Sequence, residues 1–200
     1  MKKKRIPIIL ASASPRRIKL LKSWGLKFSV DASHIKETTK LFKPSFIVRE
    51  LALRKAEFVA GKYKKAVVIG ADTIVVLNGK IVGKPKSKNH SKSILEDLNG
   101  SYHKVYTGVA VINTYEQSRE SVFDVSTVKM KKLKKEELKL LEGKHMDKAG
   151  SYAIQETDDA FVERIVGDYY NVVGMPYYKT KQLLKKFGII LKNQKKVNNG

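Results

Sequence analysis

The 200-residue chain is 42% hydrophobic and 30% charged, a balance that supports one sizeable buried core and excludes a disordered polypeptide. It contains no cysteine, which removes both a disulfide framework and any thiolate metal site. Its 41 Lys+Arg against 19 Asp+Glu give a net charge of +22, but the lysines form a diffuse coat ("MKKKR", "KYKK", "KMKKLKKEELK", "LKNQKK") without interleaved aromatics or an RNA- or DNA-binding signature, so no specific nucleic acid is expected as a partner.

The basic start followed by "IPIILASAS" has the outline of a signal peptide, yet the apolar run is short and is interrupted by Pro7 and Arg16. A cytoplasmic location is therefore expected. No membrane partner is expected either, because no segment approaches the roughly 20 apolar residues that a span requires. In chain order, residues 6–10 read as a strand, and Ser14 as a helix cap with Pro15 at the first helical position. Ile18, Leu21 and Trp24 make that helix's apolar stripe, and Gly25 ends it. Residues 27–30 form a strand. Pro44 opens a second helix burying Ile47, Leu51, Ala52 and Val59, with Gly61 as its stop.

"AVVIGADTIVVLNGKIV" reads as a buried strand, a turn at Gly70, a second strand and an Asn78-Gly79 hairpin returning through Ile81 and Val82. Residues 91–98 form a short helix. "KVYTGVAVI" and "ESVFDVSTVKM" are neighbouring strands joined by a polar turn over 113–118, "KKEELKLLEG" is a charged amphipathic helix, and "AFVERIVG" is a strand reaching a turn at Gly167-Asp168. A helix over 177–187 closes the fold. The expectation is an α/β protein with one mixed sheet and flanking helices, a single domain over 1–200 divided into two lobes around a substrate cleft, with loose tails at 1–4 and 192–200.

Two arginines at the mouth of a helix are placed where its dipole is already positive. Small residues at a strand end, the Ser12 and Ser14 hydroxyls, exposed helix N–H groups and the Arg16 and Arg17 forks together make a phosphate cradle. This motif alone leaves an ordinary N-cap with solvated arginines equally open. Asp72 follows an apolar run and is expected at a strand end, where α/β sheets place their chemistry, although such residues often only cap turns. Lys84, fixed by Pro85 beyond the hairpin, suits a polyphosphate. Lys55 interrupts an apolar helix face, and snorkelling to solvent is its ordinary outcome.

With "LASASPRR", "ALRKAE", "VIGADTIVV", "GKP", "TGV", "DKAGSYAIQ" and "FVERIVGDYYNVVGMP" in this order, the chain resembles the Maf family of nucleoside triphosphate pyrophosphatases, once called septum formation inhibitors. "YAIQ" and "GDYYNVVGMP" resemble the branch acting on dTTP and UTP rather than the branch acting on 7-methyl-GTP. The resemblance implies a mixed α/β fold of the Maf/ITPase type with a cleft, and a divalent metal, Mg²⁺ or Mn²⁺. It implies Asp72 as the catalytic acid/base, and Arg16, Thr73 and Gln155 as residues of substrate choice. Glu37, Lys55 and Lys84 fall around the phosphates, while Ser12, Ser14 and Arg17 belong to the opening motif.

In these roles Asp72 and Glu37 hold the metal and orient water, Arg16, Arg17, Lys55 and Lys84 clamp the polyphosphate, and Gln155 reads a pyrimidine edge. The partner is then a nucleoside triphosphate, modified pyrimidines included, with a homodimer compatible with the family. A 7-methyl-GTP enzyme and a nucleotide-binding cell-division regulator with little turnover are the alternatives. Two departures stand out. Lys36 in "SHIKE" replaces an acidic residue, and "ETDDAF" places Glu156 and Asp158 where relatives carry glycine. His34, His90, His103 and His145 lack metal-ligand spacing and read as surface or structural residues. Tyr169 and Tyr170 read as core or interface aromatics. No nucleophile elbow or P-loop is present.

Overall fold

Three long antiparallel strands and a short parallel pair beside them define the molecule. The computed structural model describes residues 6–146, 148–152 and 161–192. β1 (Ile8–Leu10) pairs in parallel with β2 (Ser29–Val30) on one side and with β3 (Val67–Leu77) on the other. β3 returns through the Asn78-Gly79 hairpin into β4 (Lys80–Val82), and β5 (Tyr102–Asn113), β6 (Ser118–Met130) and β7 (Val162–Val166) continue antiparallel. The resulting seven-stranded mixed sheet has the order β2-β1-β3-β5-β6-β7, with β4 attached to β3.

Helices α1 (Pro15–Ser23), α2 (Pro44–Ala60), α3 (Lys88–Leu98), α4 (Lys135–Leu141), α5 (Tyr169–Val173) and α6 (Tyr177–Lys186) flank the sheet. Successive strand side chains point to opposite faces, and β3 shows the consequence. Val67, Ile69 and Ala71 pack with Leu20, Leu21, Trp24, Leu183 and Leu184 of the α1–α6 side. Farther along the same face, Val75 and Leu77 pack with Ile94, Leu95, Leu98, Leu138 and Leu141 from α3 and α4. Thr73 falls between these two cores, which are the two lobes. The opposite face is covered by α2, whose Ala52, Ala56 and Val59 meet Val68 while Ile47, Val48 and Leu51 meet Ile74 and Val76.

Gly70 is not a turn. It lies inside an unbroken β3, and a Cβ there would sit 2.2 Å from the Ala52 carbonyl oxygen of α2. Gly108 on β5 does the same for Val48, whose carbonyl oxygen would be 2.1 Å away. Both glycines serve the close approach of a helix backbone to the sheet, a use that sequence does not distinguish from turn formation.

Other local differences are smaller. β2 is shorter than the expected 27–30, α3 begins at Lys88 because Ser87 accepts the His90 N–H, and α5 was not expected as a helix. Asp168 caps α5 by accepting the Tyr170 N–H at 2.8 Å, and Gly174 in the left-handed region ends it. Lys192, placed in a loose tail from sequence, is held: its N–H donates to Trp24 O at 3.0 Å and its carbonyl accepts Tyr177 Oη at 2.9 Å. Among the described residues no helix is long and apolar enough to cross a membrane.

Candidate active site

Asp72 was expected at a strand end and instead occupies the middle of β3. Its accessibility comes from the neighbouring strands. β1 stops at Leu10 opposite Ile69, and β4 begins pairing only at Val75, so the edge of β3 is open between them and the backbone there faces a cleft. The end that matters is that of β1, from which the chain turns through Ser12 and Ser14 into α1. The cleft has a volume of about 440 Å³, within the range of small-molecule sites.

Nine of the candidate residues line it: Ser12, Ser14, Arg16, Arg17, Glu37, Lys55, Asp72, Thr73 and Lys84. Gln155, with Glu156 and Asp158, lies outside the described residues. Lys148, His34 and Tyr152 also line the cleft and were not assigned to it from sequence. Five cationic side chains therefore face two carboxylates, a surplus that suits a small polyanion.

At the centre, Lys55 does not snorkel. It belongs to the α2 face that meets the sheet, is only 8% exposed, and its Nζ lies 2.6 Å from Asp72 Oδ1 and 2.6 Å from Glu37 Oε1. The two glycines that admit the α2 backbone bring this ammonium to the strand. Lys84 Nζ reaches Glu37 Oε2 at 3.4 Å. Burial pushes the Glu37 carboxyl up, but the hydrogen bond and charge of Lys55, with Lys84, outweigh it and hold its pKa below the usual value. Glu37 sits on an irregular segment after β2 that α2 itself fastens: Arg54 donates to Thr38 O at 2.7 Å and to Lys36 O at 2.9 Å, and Thr39 Oγ1 donates to Glu50. The departure at Lys36 thus leaves its backbone in service to the loop while its side chain is exposed.

The opening motif divides its labour. Ser14 occupies the N-cap position without a side-chain capping bond, and its N–H donates to Ser12 Oγ at 3.3 Å. Arg17 ties three chain segments together: Nε donates to Gly174 O at 2.9 Å, Nη1 to Ser12 Oγ at 3.2 Å and Nη2 to Thr73 Oγ1 at 3.0 Å. Burial lowers the Arg17 pKa, with Asp72 opposing the shift and Arg16 adding to it. On the far wall, Tyr152 packs over Gly150, and its Oη lies 2.7 Å from Nε2 of the buried His103. Burial drives the Tyr152 phenol up and His103 down to about 4.

His90 accepts the Lys86 N–H at 3.2 Å, and His145 is buried with Nδ1 3.0 Å from Lys148 Nζ. These are structural positions. Among the described residues no group of three His, Asp or Glu side chains converges to form a metal cage. Asp72 and Glu37 are two carboxylates sharing one ammonium, a donor set that fits an ion taking its other ligands from phosphate and water.

A mixed α/β sheet with a cationic cleft at an interrupted strand edge defines a protein built to hold a small, highly charged anion beside a carboxylate. The chain belongs to the Maf family: the model described as "Maf-like protein" matches residues 7–187. It is 45% identical over 181 residues to a dTTP/UTP pyrophosphatase of Elusimicrobium minutum, covering 90% of this chain and 98% of that protein. It is 44% identical over 188 residues to one of Dictyoglomus turgidum (92% and 97% covered) and 46% identical over 185 residues to one of Alkaliphilus metalliredigens (90% and 95% covered). Among solved structures it is similar to the Ham1 protein of Staphylococcus aureus, with a TM-score of 0.51, 15% identity and coverage of 90% of this chain and 97% of that one. The last likeness is one of fold.

Proposed function

We propose that this chain is a nucleoside triphosphate pyrophosphatase that hydrolyses dTTP and UTP, modified pyrimidine triphosphates included, to the monophosphate and pyrophosphate. The names of its relatives support the substrate class. The observation that carries the chemistry is the Asp72–Lys55–Glu37 cluster inside a cleft with a cationic surplus. Such an activity belongs in the cytoplasm, where nucleotide pools are cleared of unwanted triphosphates.

The residues act as follows. Water attacks the α-phosphorus, the bond from that phosphorus to the oxygen bridging to the β-phosphorus breaks, and pyrophosphate leaves with that oxygen. Asp72 accepts the proton of the attacking water; Oδ1 is held by Lys55, which leaves Oδ2 to face the water. Arg16, Arg17, Lys84 and Lys148 receive the phosphate oxygens, and their charge is worth more at the wall of a cleft than in open solvent. Gln155 offers one donor and one acceptor to a pyrimidine edge. Asp72 and Glu37 are the residues that would hold Mg²⁺ or Mn²⁺, and the ion when bound neutralises phosphoryl oxygens and acidifies water.

Product analysis tests this reading. UTP incubated with the protein and Mg²⁺ should give UMP and pyrophosphate in equal amounts. UDP and inorganic phosphate as the products would contradict it, as would the absence of turnover on every triphosphate.

A further inference from the structure

Thr73 is a cleft residue whose hydroxyl looks available to a nucleotide, yet its proton is already committed. Thr107 on β5, fully buried, lies behind it. Thr107 Oγ1 is 2.9 Å from the main-chain carbonyl oxygen of Asn171. A carbonyl can only accept, so the single Thr107 proton is spent there. Thr73 Oγ1 lies 3.0 Å from Thr107 Oγ1, and since Thr107 has no second proton, Thr73 must be the donor. Thr73 can then only accept from its other neighbour, and Arg17 Nη2 donates to it at 3.0 Å.

The bonds therefore run in one direction, from Arg17 through Thr73 and Thr107 to Asn171. The terminal acceptor is itself fixed, because Asn171 Nδ2 donates to Val105 O at 2.9 Å and to Ser126 Oγ at 3.0 Å. Arg17 spends three of its five N–H donors on Gly174, Ser12 and Thr73, which leaves two on a guanidinium that lines the cleft. One of the three contacts that hold the plane of the fork, and so the direction of those two donors, is set by Thr107 on the neighbouring strand, directly opposite Thr73 on the same face of the sheet.

We infer that Thr107 is a positioning residue for phosphate binding: by accepting the Thr73 proton it orients Thr73, and through Thr73 it aims the two remaining donors of Arg17 at the polyphosphate. The inference rests on the pyrophosphatase reading and deepens it. Thr73 then governs substrate handling through Arg17 and not by donating to the nucleotide. Thr107→Val keeps the shape and removes the acceptor, so the Thr73 hydroxyl is no longer oriented and the Arg17 fork, still held by Gly174 and Ser12, loses the third contact that sets its aim.

The test is a kinetic and binding cycle on Thr107→Val, Thr107→Ser, Thr73→Val and the Thr73→Val/Thr107→Val double variant. Thr107→Val should raise KM for dTTP and UTP by about tenfold, the scale of one lost hydrogen bond, with kcat little changed. Thr107→Ser, which retains the hydroxyl, should keep the original KM. The double variant should be no worse than Thr73→Val alone, because both changes cut the same chain. An unchanged KM in Thr107→Val, a loss in Thr107→Ser as large as in Thr107→Val, or multiplicative effects in the double variant would overturn the inference. If Thr107→Val does not fold, Thr107→Ala takes its place in the same comparison with Thr107→Ser.

Calorimetric binding of inorganic tripolyphosphate separates the two levels. Affinity about tenfold weaker in Thr107→Val and unchanged in Thr107→Ser is expected for the same hydrogen bond. That result would uphold the positioning role even if the wild type turned over no nucleotide, an outcome that would sink the pyrophosphatase reading alone.

Discussion

Lys55 of α2 and Asp72 of β3 form a buried ion pair, Nζ to Oδ1 2.6 Å, that depends on two absent side chains. Gly70 and Gly108 let the α2 backbone rest on the sheet, and only at that separation does a lysine on the inner face of the helix meet a carboxylate on the strand. Glu37 completes the cluster from the segment that Arg54 ties to the same helix.

The pair makes Lys55 unusually sensitive. Lys55→Met removes one partner of a buried ion pair and leaves Asp72, 5% exposed, without its compensating charge. Loss of about 3–5 kcal/mol of stability is expected, together with loss of turnover. Urea unfolding of the variant checks this, and a midpoint equal to that of the wild type would show that the pair is not structural.

Gly70→Ala and Gly108→Ala should each destabilise by about 1–3 kcal/mol or more, because the new Cβ meets backbone and not a flexible side chain. Activity should fall as well, since α2 must lift and carry Lys55 away from Asp72. Gly83→Ala is the control, with nothing within 4 Å of the added carbon. Thermal unfolding of the three variants decides the matter; equal Tm values would contradict the close-approach explanation.

His103 makes stability depend on pH. In the folded chain burial lowers it from 6.5 to about 4, so between these values the unfolded chain binds the proton and the folded chain does not. Its contribution is complete above pH 6.5 and declines as pH falls towards 4, by up to about 3 kcal/mol. His103→Gln should remove this slope. Denaturation of both proteins from pH 7 to 4 gives the comparison, and parallel curves would mean that His103 is not held neutral.

The cleft cations should differ from the lysine coat. Arg16→Ala and Lys84→Ala should each lower kcat/KM by at least about tenfold, the scale of a lost charge-assisted hydrogen bond. Lys131→Ala and Lys135→Ala, both exposed and outside the cleft, should change it little. Equal losses in all four would point to general attraction and not a defined clamp.

Much of this arrangement was legible in the sequence because local signals and tertiary structure agree. Pro15 and Pro44 do begin helices, Asn78-Gly79 does close a hairpin, and the alternation in β5 and β6 does mark paired strands. The misreadings share a cause: each is decided by a neighbouring element and not by the residue's own stretch of chain. Gly70 looks like a turn because a contact with α2 leaves no mark on neighbouring residues. Asp72 looks like a strand terminus because the interruption belongs to β1 and β4. Lys55 looks solvent-bound because its partners are 18 and 17 positions away.

The site shows the same limit. Ser12, Arg16, Arg17 and Lys84 were legible as polar residues at element ends, where binding groups concentrate. Thr107 and Asn171 were not, for a threonine in a strand is an ordinary β-former and its hydrogen bonds appear only when β3, β5 and α5 are assembled. Lys148 and Tyr152 were hidden for a related reason: the short turn Ala149–Ser151, with Gly150 at φ +79°, brings them to the cleft without helical or strand periodicity.

If Asp72 is the base that drives hydrolysis of dTTP and UTP at this cleft, pyrophosphate release from a nucleotide panel by the wild type and Asp72→Asn side by side will show it. Asparagine keeps the size and an oxygen for Lys55 but loses the basicity, so the variant should stay folded while turnover falls at least about 100-fold. The wild type should favour dTTP and UTP over purine and 7-methylguanine triphosphates. Near-normal pyrophosphate release by Asp72→Asn, or a wild type that prefers 7-methyl-GTP, would contradict this role for Asp72 and the pyrimidine preference.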